Sequence, residues 1–191
     1  MSSKKKGKLI IVSGPSGSGK STIVRYLLKQ KLNLVFSVSA CSRSKREYEI
    51  DGKDYFFLDV TDFKKKIEAN EFLEWEEVYK NSFYGTLKNE VLNQIEMGYN
   101  IIFDIDVIGA KSLKKIFDDQ ALLIYIQAPS INDISKRLNL RNTENSKQIF
   151  TRLSKAKYED KEKSFFDYIL VNSDLDEAKK NAIIKVKEFL N

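Results

Sequence analysis

Residues 9–28 read Leu-Ile-Ile-Val-Ser-Gly-Pro-Ser-Gly-Ser-Gly-Lys-Ser-Thr-Ile-Val-Arg-Tyr-Leu-Leu. The run Leu9–Val12 is apolar and β-branched, the pattern of a buried strand, and Ser21–Leu28 is patterned as a helix. Between them lies G-x-x-x-x-G-K-S, spanning Gly14, Pro15, Ser16, Gly17, Ser18, Gly19, Lys20 and Ser21. That position, behind a strand and ahead of a helix, separates a phosphate-binding loop from a glycine-rich turn. The glycines allow positive φ and bring consecutive backbone N–H groups close to a polyphosphate. The helix start adds partial positive charge, Lys20 can reach the outer phosphates, and the Ser21 hydroxyl can ligate Mg²⁺. With Thr22, the loop is the expected site of a nucleoside polyphosphate.

Composition narrows the chemistry. A length of 191 residues fits one domain with inserted lobes, and 42% hydrophobic residues suffice for a core. No apolar run reaches membrane-spanning length, so no membrane partner is expected. Met1–Gly7 lacks an apolar signal core, which argues against secretion. Cys41, the single cysteine, excludes an internal disulfide and a cysteine zinc site, and a reducing cytoplasmic setting is the default. The chain has no histidine, which removes histidine triads and histidine metal sites. Phosphoryl transfer passes this test, because positioning and charge stabilisation carry it without an imidazole. The net charge of +6 suits either nucleic acid or small phosphorylated substrates. Without an aromatic–basic recognition stretch, nucleic acid is not the expected partner. Lys4–Lys6 reads as a solvated tail.

Five strand-like runs recur along the chain: Leu9–Ser13, Leu34–Val38, Asn100–Asp104, Ala121–Ile126 and Tyr168–Val171. Helical patterns fall at Gly19–Lys31, Leu87–Gly98, Val107–Phe117, Ile131–Arg141, Ser146–Ser164 and Leu175–Leu190. Short apolar strands alternating with amphipathic helices predict an α/β fold whose parallel sheet is covered on both faces. Ser130 followed by Asp133, and Asp174 by Glu177, mark helix starts, and Gly98 marks a helix end. Ser39 to about Tyr84 breaks the rhythm with charge, aromatics, the strand-like Tyr55–Leu58 and a short helix after Thr61, so it reads as an inserted lobe. Lys136–Lys157 reads as a second excursion.

The third core strand ends Ile101-Ile102-Phe103-Asp104-Ile105-Asp106. Acids closing an apolar strand downstream of a phosphate loop suit a place beside Mg²⁺, with Asp104 the candidate metal residue alongside Ser21. Asp106–Gly109 also has the D-x-x-G form of switch GTPases, but no Asn-Lys-x-Asp guanine-reading motif follows, which argues against a switch.

The inserted lobe carries Phe36-Ser37-Val38-Ser39-Ala40-Cys41-Ser42-Arg43, Arg46, Glu49-Ile50-Asp51-Gly52-Lys53-Asp54-Tyr55-Phe56-Phe57, Glu71-Phe72-Leu73-Glu74-Trp75 and Tyr84-Gly85-Thr86. Downstream come Asp104–Ala110, Ala128-Pro129-Ser130, Arg137-Leu138, Arg141-Asn142-Thr143, Arg152-Leu153 and Val171–Leu175. With these motifs in this order, the chain resembles the guanylate kinases, from Leu9 to the C-terminus. The resemblance implies a P-loop three-layer α/β/α fold with a five-stranded parallel core sheet, an inserted GMP-binding lobe and a helical lid. Its segments are core 1–38, GMP-binding lobe 39–86, core 87–135, lid 136–157 and core 158–191. It implies transfer of the γ-phosphoryl of ATP to GMP, with dGMP as a further acceptor, Mg²⁺ as cofactor, and ATP and GMP as the partners. Whether the chain is a monomer or a dimer stays open.

The resemblance also assigns roles residue by residue. Lys20, Arg43, Arg141 and Arg152 are its catalytic positions, the last two as lid arginines acting on the transferring phosphoryl group. Arg137 is a lesser candidate, and Asn172 matches a position near the adenine of ATP. Arg43, Arg46, Tyr55 and Tyr84 match positions that hold the GMP phosphate, as planar forks and phenols suit. Glu74 can accept the adjacent N1–H and N2–H donors of guanine, while Ser39 and Thr86 can donate to O6. Asp104 and Asp106 are carried over to the GMP side as well. Glu49 and Asp54 read as loop anchors. The chain departs from the pattern at Cys41-Ser42, at Lys45-Arg46-Glu47-Tyr48, which lacks the usual proline and glycine, and at Val78–Phe83, which lacks a common glycine. Another nucleoside monophosphate kinase and a non-catalytic protein-binding domain of the same fold are the alternatives. The intact Lys20, Ser21 and arginines argue against the second.

Overall fold

The computed structural model describes residues 6–140 and 146–191. Arg141, Asn142 and Thr143 therefore lie outside the described residues, as does most of the Lys4–Lys6 run.

The phosphate-loop strand is β1 (Leu9–Ser13), followed by α1 (Lys20–Leu28) and β2 (Leu34–Phe36). The lobe region contributes β3 (Ala40–Cys41), β4 (Phe56–Phe57), α2 (Val60–Glu68), β5 (Phe72–Tyr79), β6 (Ser82–Leu87) and α3 (Lys88–Glu96). Then come β7 (Asn100–Asp104), α4 (Val107–Phe117), β8 (Ala121–Gln127), α5 (Ile131–Leu140), α6 (Ser146–Lys161), β9 (Tyr168–Val171) and α7 (Leu175–Leu190). The parallel core sheet has five strands in the order β2-β7-β1-β8-β9. Leu9 pairs with Ala121 and Ser13 with Tyr125, while Ile124 pairs with Tyr168. Every residue of β1 is buried, and so are the first six of β8. Since successive strand side chains point to opposite faces, both faces of the sheet are covered, as expected.

Local chemistry sets the element ends. Asp174 Oδ1 accepts from the N–H of Asp176 and of Glu177 at 2.9 and 2.8 Å, capping α7. Ser130 Oγ accepts from the Asp133 N–H at 3.1 Å and donates to its carboxylate at 2.6 Å, closing the start of α5 side chain to side chain. Asp59 caps α2 by accepting from the Asp62 N–H at 2.7 Å.

The chain forms two compact units, one holding Val35–Ile101, the other Lys8–Leu34 and Ile102–Asn191. In the first, the order β4-β3-β6-β5 makes a second, mixed sheet. Its core is a stack: the Phe63 ring lies 4.4 Å from Phe72 and 5.5 Å from Phe83, nearly parallel to both. The hairpin β5–β6 turns through Lys80-Asn81, and Asn81 takes φ 63°. Asparagine tolerates this left-handed conformation better than other non-glycine residues, so the turn forms without the glycine whose absence the sequence showed.

Candidate active site

In the unit of Lys8–Leu34 and Ile102–Asn191, the loop after β1 is tied down from behind. Asn172, buried after β9, donates from Nδ2 to the Ser18 carbonyl at 2.7 Å. Arg137 on α5 donates to the Gly17 and Ser18 carbonyls at 3.4 and 3.3 Å and to the Asn172 carbonyl at 3.1 Å. With these carbonyls held inward, the loop conformation that presents its N–H groups to an anion is fixed by the protein. Asn172 thus acts on the backbone of the phosphate loop. Arg137, a lesser lid candidate by sequence, is a loop clamp.

Gly19 has φ 103°, and a Cβ there would stand 2.2 Å from Asn172 Nδ2. Gly19→Ala is expected to dislodge Asn172 and to destabilise the fold by about 1–3 kcal/mol. Thermal melting with and without ATP checks this: the mutant should melt lower and gain less from nucleotide than the parent.

The residues expected on the outer side of the loop are also placed. Lys20 Nζ donates to the Gly14 and Pro15 carbonyls at 2.6 and 3.1 Å. Ser21 Oγ donates to Asp104 Oδ2 at 2.7 Å. Arg152 on α6 donates to Ser16 Oγ at 2.5 Å, and Lys155, one turn on, reaches Asp106 Oδ2 at 3.4 Å. Asp106 also caps α4, accepting from the Gly109 N–H at 2.8 Å. The D-x-x-G string is thus a helix start.

A hydroxyl and a carboxylate side by side at the loop are the hard oxygen donors that Mg²⁺ takes. The described residues contain no cluster of three or more potential metal ligands. Ser21 and Asp104 therefore fit an ion carried largely by phosphate oxygens, with one carboxylate from the protein.

In the unit of Val35–Ile101, Arg43 is the most constrained of the candidates. Its guanidinium makes two bonds to Glu49, Nη1 to Oε2 at 2.7 Å and Nη2 to Oε1 at 2.5 Å. Nε donates to the Tyr84 hydroxyl at 3.2 Å, and the group lies 5.0 and 5.5 Å from the Tyr55 and Phe57 ring centres. Tyr55 and Tyr84 meet edge to face at 5.9 Å. Glu49 is 6% exposed and also accepts from the Arg46 N–H at 2.8 Å. Its hydrogen bonds to Arg43 hold its carboxyl down at about 2, and in turn raise the Arg43 guanidinium. Glu49, read by sequence as a loop anchor, fixes the direction of the arginine fork. Asp54 does anchor the loop, accepting from the Ile50 N–H at 2.7 Å.

On the hairpin, Glu74 pairs in register with Thr86. The buried Thr86 hydroxyl donates to Glu74 Oε1 at 2.5 Å, which orients the carboxylate. Ser39 is half-buried, and its carbonyl accepts from the Phe56 N–H at 2.9 Å. The Arg46 side chain is exposed, its guanidinium bonded to the exposed Tyr48 hydroxyl at 2.9 Å, so only its backbone N–H joins the Arg43–Glu49 cluster. Cys41 is fully buried on β3, where burial pushes its thiol up. Its neighbour Ser42 accepts from the Phe83 N–H at 2.8 Å and donates to the Asn81 carbonyl at 3.0 Å, stitching the segment to the hairpin turn.

One unit thus carries the tied phosphate loop, and the other carries the Arg43–Tyr55–Tyr84 cluster and the Thr86–Glu74 pair. The guanylate kinase family model matches residues 6–191. The chain belongs to the guanylate kinase family. Its activity is that of an ATP:GMP phosphotransferase. A guanylate kinase of Bacteroides thetaiotaomicron is 51% identical over 185 residues, covering 97% of this chain and 91% of that relative. The guanylate kinase of Thermotoga maritima is 44% identical over 173 residues, covering 91% and 83%. Among solved structures, the guanylate kinase of Anaplasma phagocytophilum superposes with a TM-score of 0.75 at 27% identity, covering 97% of this chain and 86% of its own.

Proposed function

We propose the following assignment of residues to the reaction ATP + GMP ⇌ ADP + GDP, run by direct in-line transfer with dGMP as a second acceptor. The loop Gly14–Ser21 with Thr22 holds ATP, and Asn172 serves that site by holding the loop. Ser21 and Asp104 hold Mg²⁺, which when bound supplies positive charge on the ATP phosphates. Lys20 and Arg152 stabilise the charge that builds on the transferring group, and Arg141 is assigned with them from the resemblance.

On the acceptor side, Arg43, Tyr55 and Tyr84 hold the GMP phosphate, with Arg46 joining from the exposed loop. Glu74 accepts from guanine N1–H and N2–H, Thr86 orients it, and Ser39 donates to O6. The observation that carries this assignment is the pairing of Glu74 with Thr86. A buried hydroxyl aims a carboxylate in the unit that also carries the Arg43 cluster. Adenine offers no N2 amine and an acceptor at N1, so it would leave that carboxylate unpaired. Segments 39–86 and 136–157 are the GMP-binding lobe and the lid. The partners are the two nucleotides, and the cytoplasm, which holds both, is the setting.

A coupled assay with ATP and, in turn, GMP, dGMP, AMP, CMP and UMP tests this. ADP is expected with GMP and dGMP and at background with the other three. Failure of every acceptor to give ADP would overturn the assignment.

A further inference from the structure

α6 meets its two neighbouring helices by different means. Toward α5 it presents an apolar strip, with Ile149, Leu153 and the buried Ala156 packed on Ile134 and Leu138. Toward α4 it is joined by charge. Lys155 Nζ donates to Asp106 Oδ2 at 3.4 Å, at the start of α4. Glu162, the first residue past the end of α6, accepts from Lys111 Nζ in the second turn of α4. Lys111 also lies over the Phe165 ring, 5.1 Å from its centre, so its ammonium is held from two sides.

The two pairs are crossed in sign. α4 carries its acid before its base, and α6 its base before its acid. An apolar strip holds helices together, but its attraction is non-directional and tolerates sliding. Crossed ion pairs do not. Advancing α6 by one turn sets Glu159 against Asp106, acid on acid. Drawing it back by one turn puts Thr151 and Tyr158 in place of Lys155 and Glu162, and both pairs are lost. All four side chains are partly shielded, between 25 and 44% exposed, so salt screens them less than open surface pairs.

What this seam orients is Arg152. It stands three residues before Lys155 on the same face of α6, and its guanidinium donates to Ser16 Oγ in the phosphate loop. We propose that Lys111, Lys155 and Glu162 are positioning residues for phosphoryl transfer: their crossed ion pairs fix where α6 lies along α4, and thereby hold the Arg152 guanidinium at the phosphate loop. This rests on the assignment of Arg152 to the transferring group. A displacement of about 1 Å at a reacting group can cost on the order of 10² in rate, so a modest seam has leverage on kcat.

The test is charge reversal, read at saturating ATP and GMP. Glu162→Lys and Lys111→Glu should each lower kcat roughly three- to tenfold, with the GMP KM unchanged. Combined, they restore a pair of opposite sign, and kcat should return to within about threefold of the parent. Placed in Arg152→Ala, the single reversals should have no further effect, because the group they aim is gone. Melting curves show that each variant is folded at the assay temperature. Should a reversal fail to fold, Glu162→Gln takes its place, with a loss of about two- to fivefold expected from the broken pair alone. Should Arg152→Ala leave no turnover to read, the combined reversal decides. Parental kcat in the single variants overturns the proposal, as does a combined variant slower than either, or an equal proportional loss with Arg152→Ala. Beside a slow Arg152→Ala, each of these leaves the assignment of Arg152 standing. Parental kcat in Arg152→Ala overturns that assignment and the proposal with it.

Discussion

Lys20→Ala is expected to lower kcat by about 10³-fold, the size of effect that follows loss of one aimed charge in a water-poor phosphoryl-transfer site. The ammonium rests on two carbonyls of its own loop, at 2.6 and 3.1 Å, so its position is set before any phosphate arrives. Alanine favours the first turn of α1, and the Pro15 carbonyl keeps its bond from the Ser18 N–H at 3.1 Å, so the fold should survive. The ATP KM should rise and the GMP KM should change little. Lys20→Arg separates charge from shape: it keeps the charge, but a planar fork does not replace a compact ammonium over two carbonyls, so most of the loss should remain. Steady-state kinetics at saturating GMP, with melting curves as the control, measure this. A kcat within tenfold of the parent would remove Lys20 from the transition state.

Glu74→Gln is expected to lower kcat/KM for GMP by roughly 10²–10⁴, with the ATP KM nearly unchanged. The amide keeps the volume and one acceptor, but it presents N–H where guanine also presents a donor. Thr86, whose hydroxyl donates to Glu74 Oε1 at 2.5 Å, fixes which oxygen is already occupied, so rotation offers no simple escape. The same substitution should narrow the gap between GMP and inosine monophosphate, which lacks the N2 amine. Acceptor titrations with both nucleotides give the answer. Loss of equal size for ATP and GMP would mean that Glu74 does not read the base.

The core was legible from sequence wherever an apolar run ends in a capping residue. β1, β7, β9, α4 and α7 have the bounds that their patterns predict. Leu34–Val38 is shorter as a strand, ending at Phe36, and Ser146–Ser164 ends as an α-helix at Lys161. The hairpin β5–β6 was not legible as one. Phe72–Tyr79 carries glutamates at 74, 76 and 77 and no clean alternation, and its turn, Lys80-Asn81, lacks the Asn-Gly signal. The site follows the same division. Residues in the loop or the family motifs were all named from sequence. Glu49 and Arg137 owe their roles to neighbours 6 and 119 positions away, contacts that no local pattern announces. Arg46 was named with Arg43, but only the Arg43 guanidinium is held by the buried acid, which takes Arg46 by its backbone N–H.

The clamp of Arg137 and Asn172 on the Gly17 and Ser18 carbonyls bears on the end of the catalytic cycle. A cradle shaped during folding demands no ordering from the nucleotide, and it serves the shortened product as readily as the substrate. Discrimination between the two is left to whatever touches the terminal phosphate alone. With ATP and ADP assigned to this loop as proposed, departure of ADP, and not assembly of the loop, is the step expected to respond most to loosening either clamp.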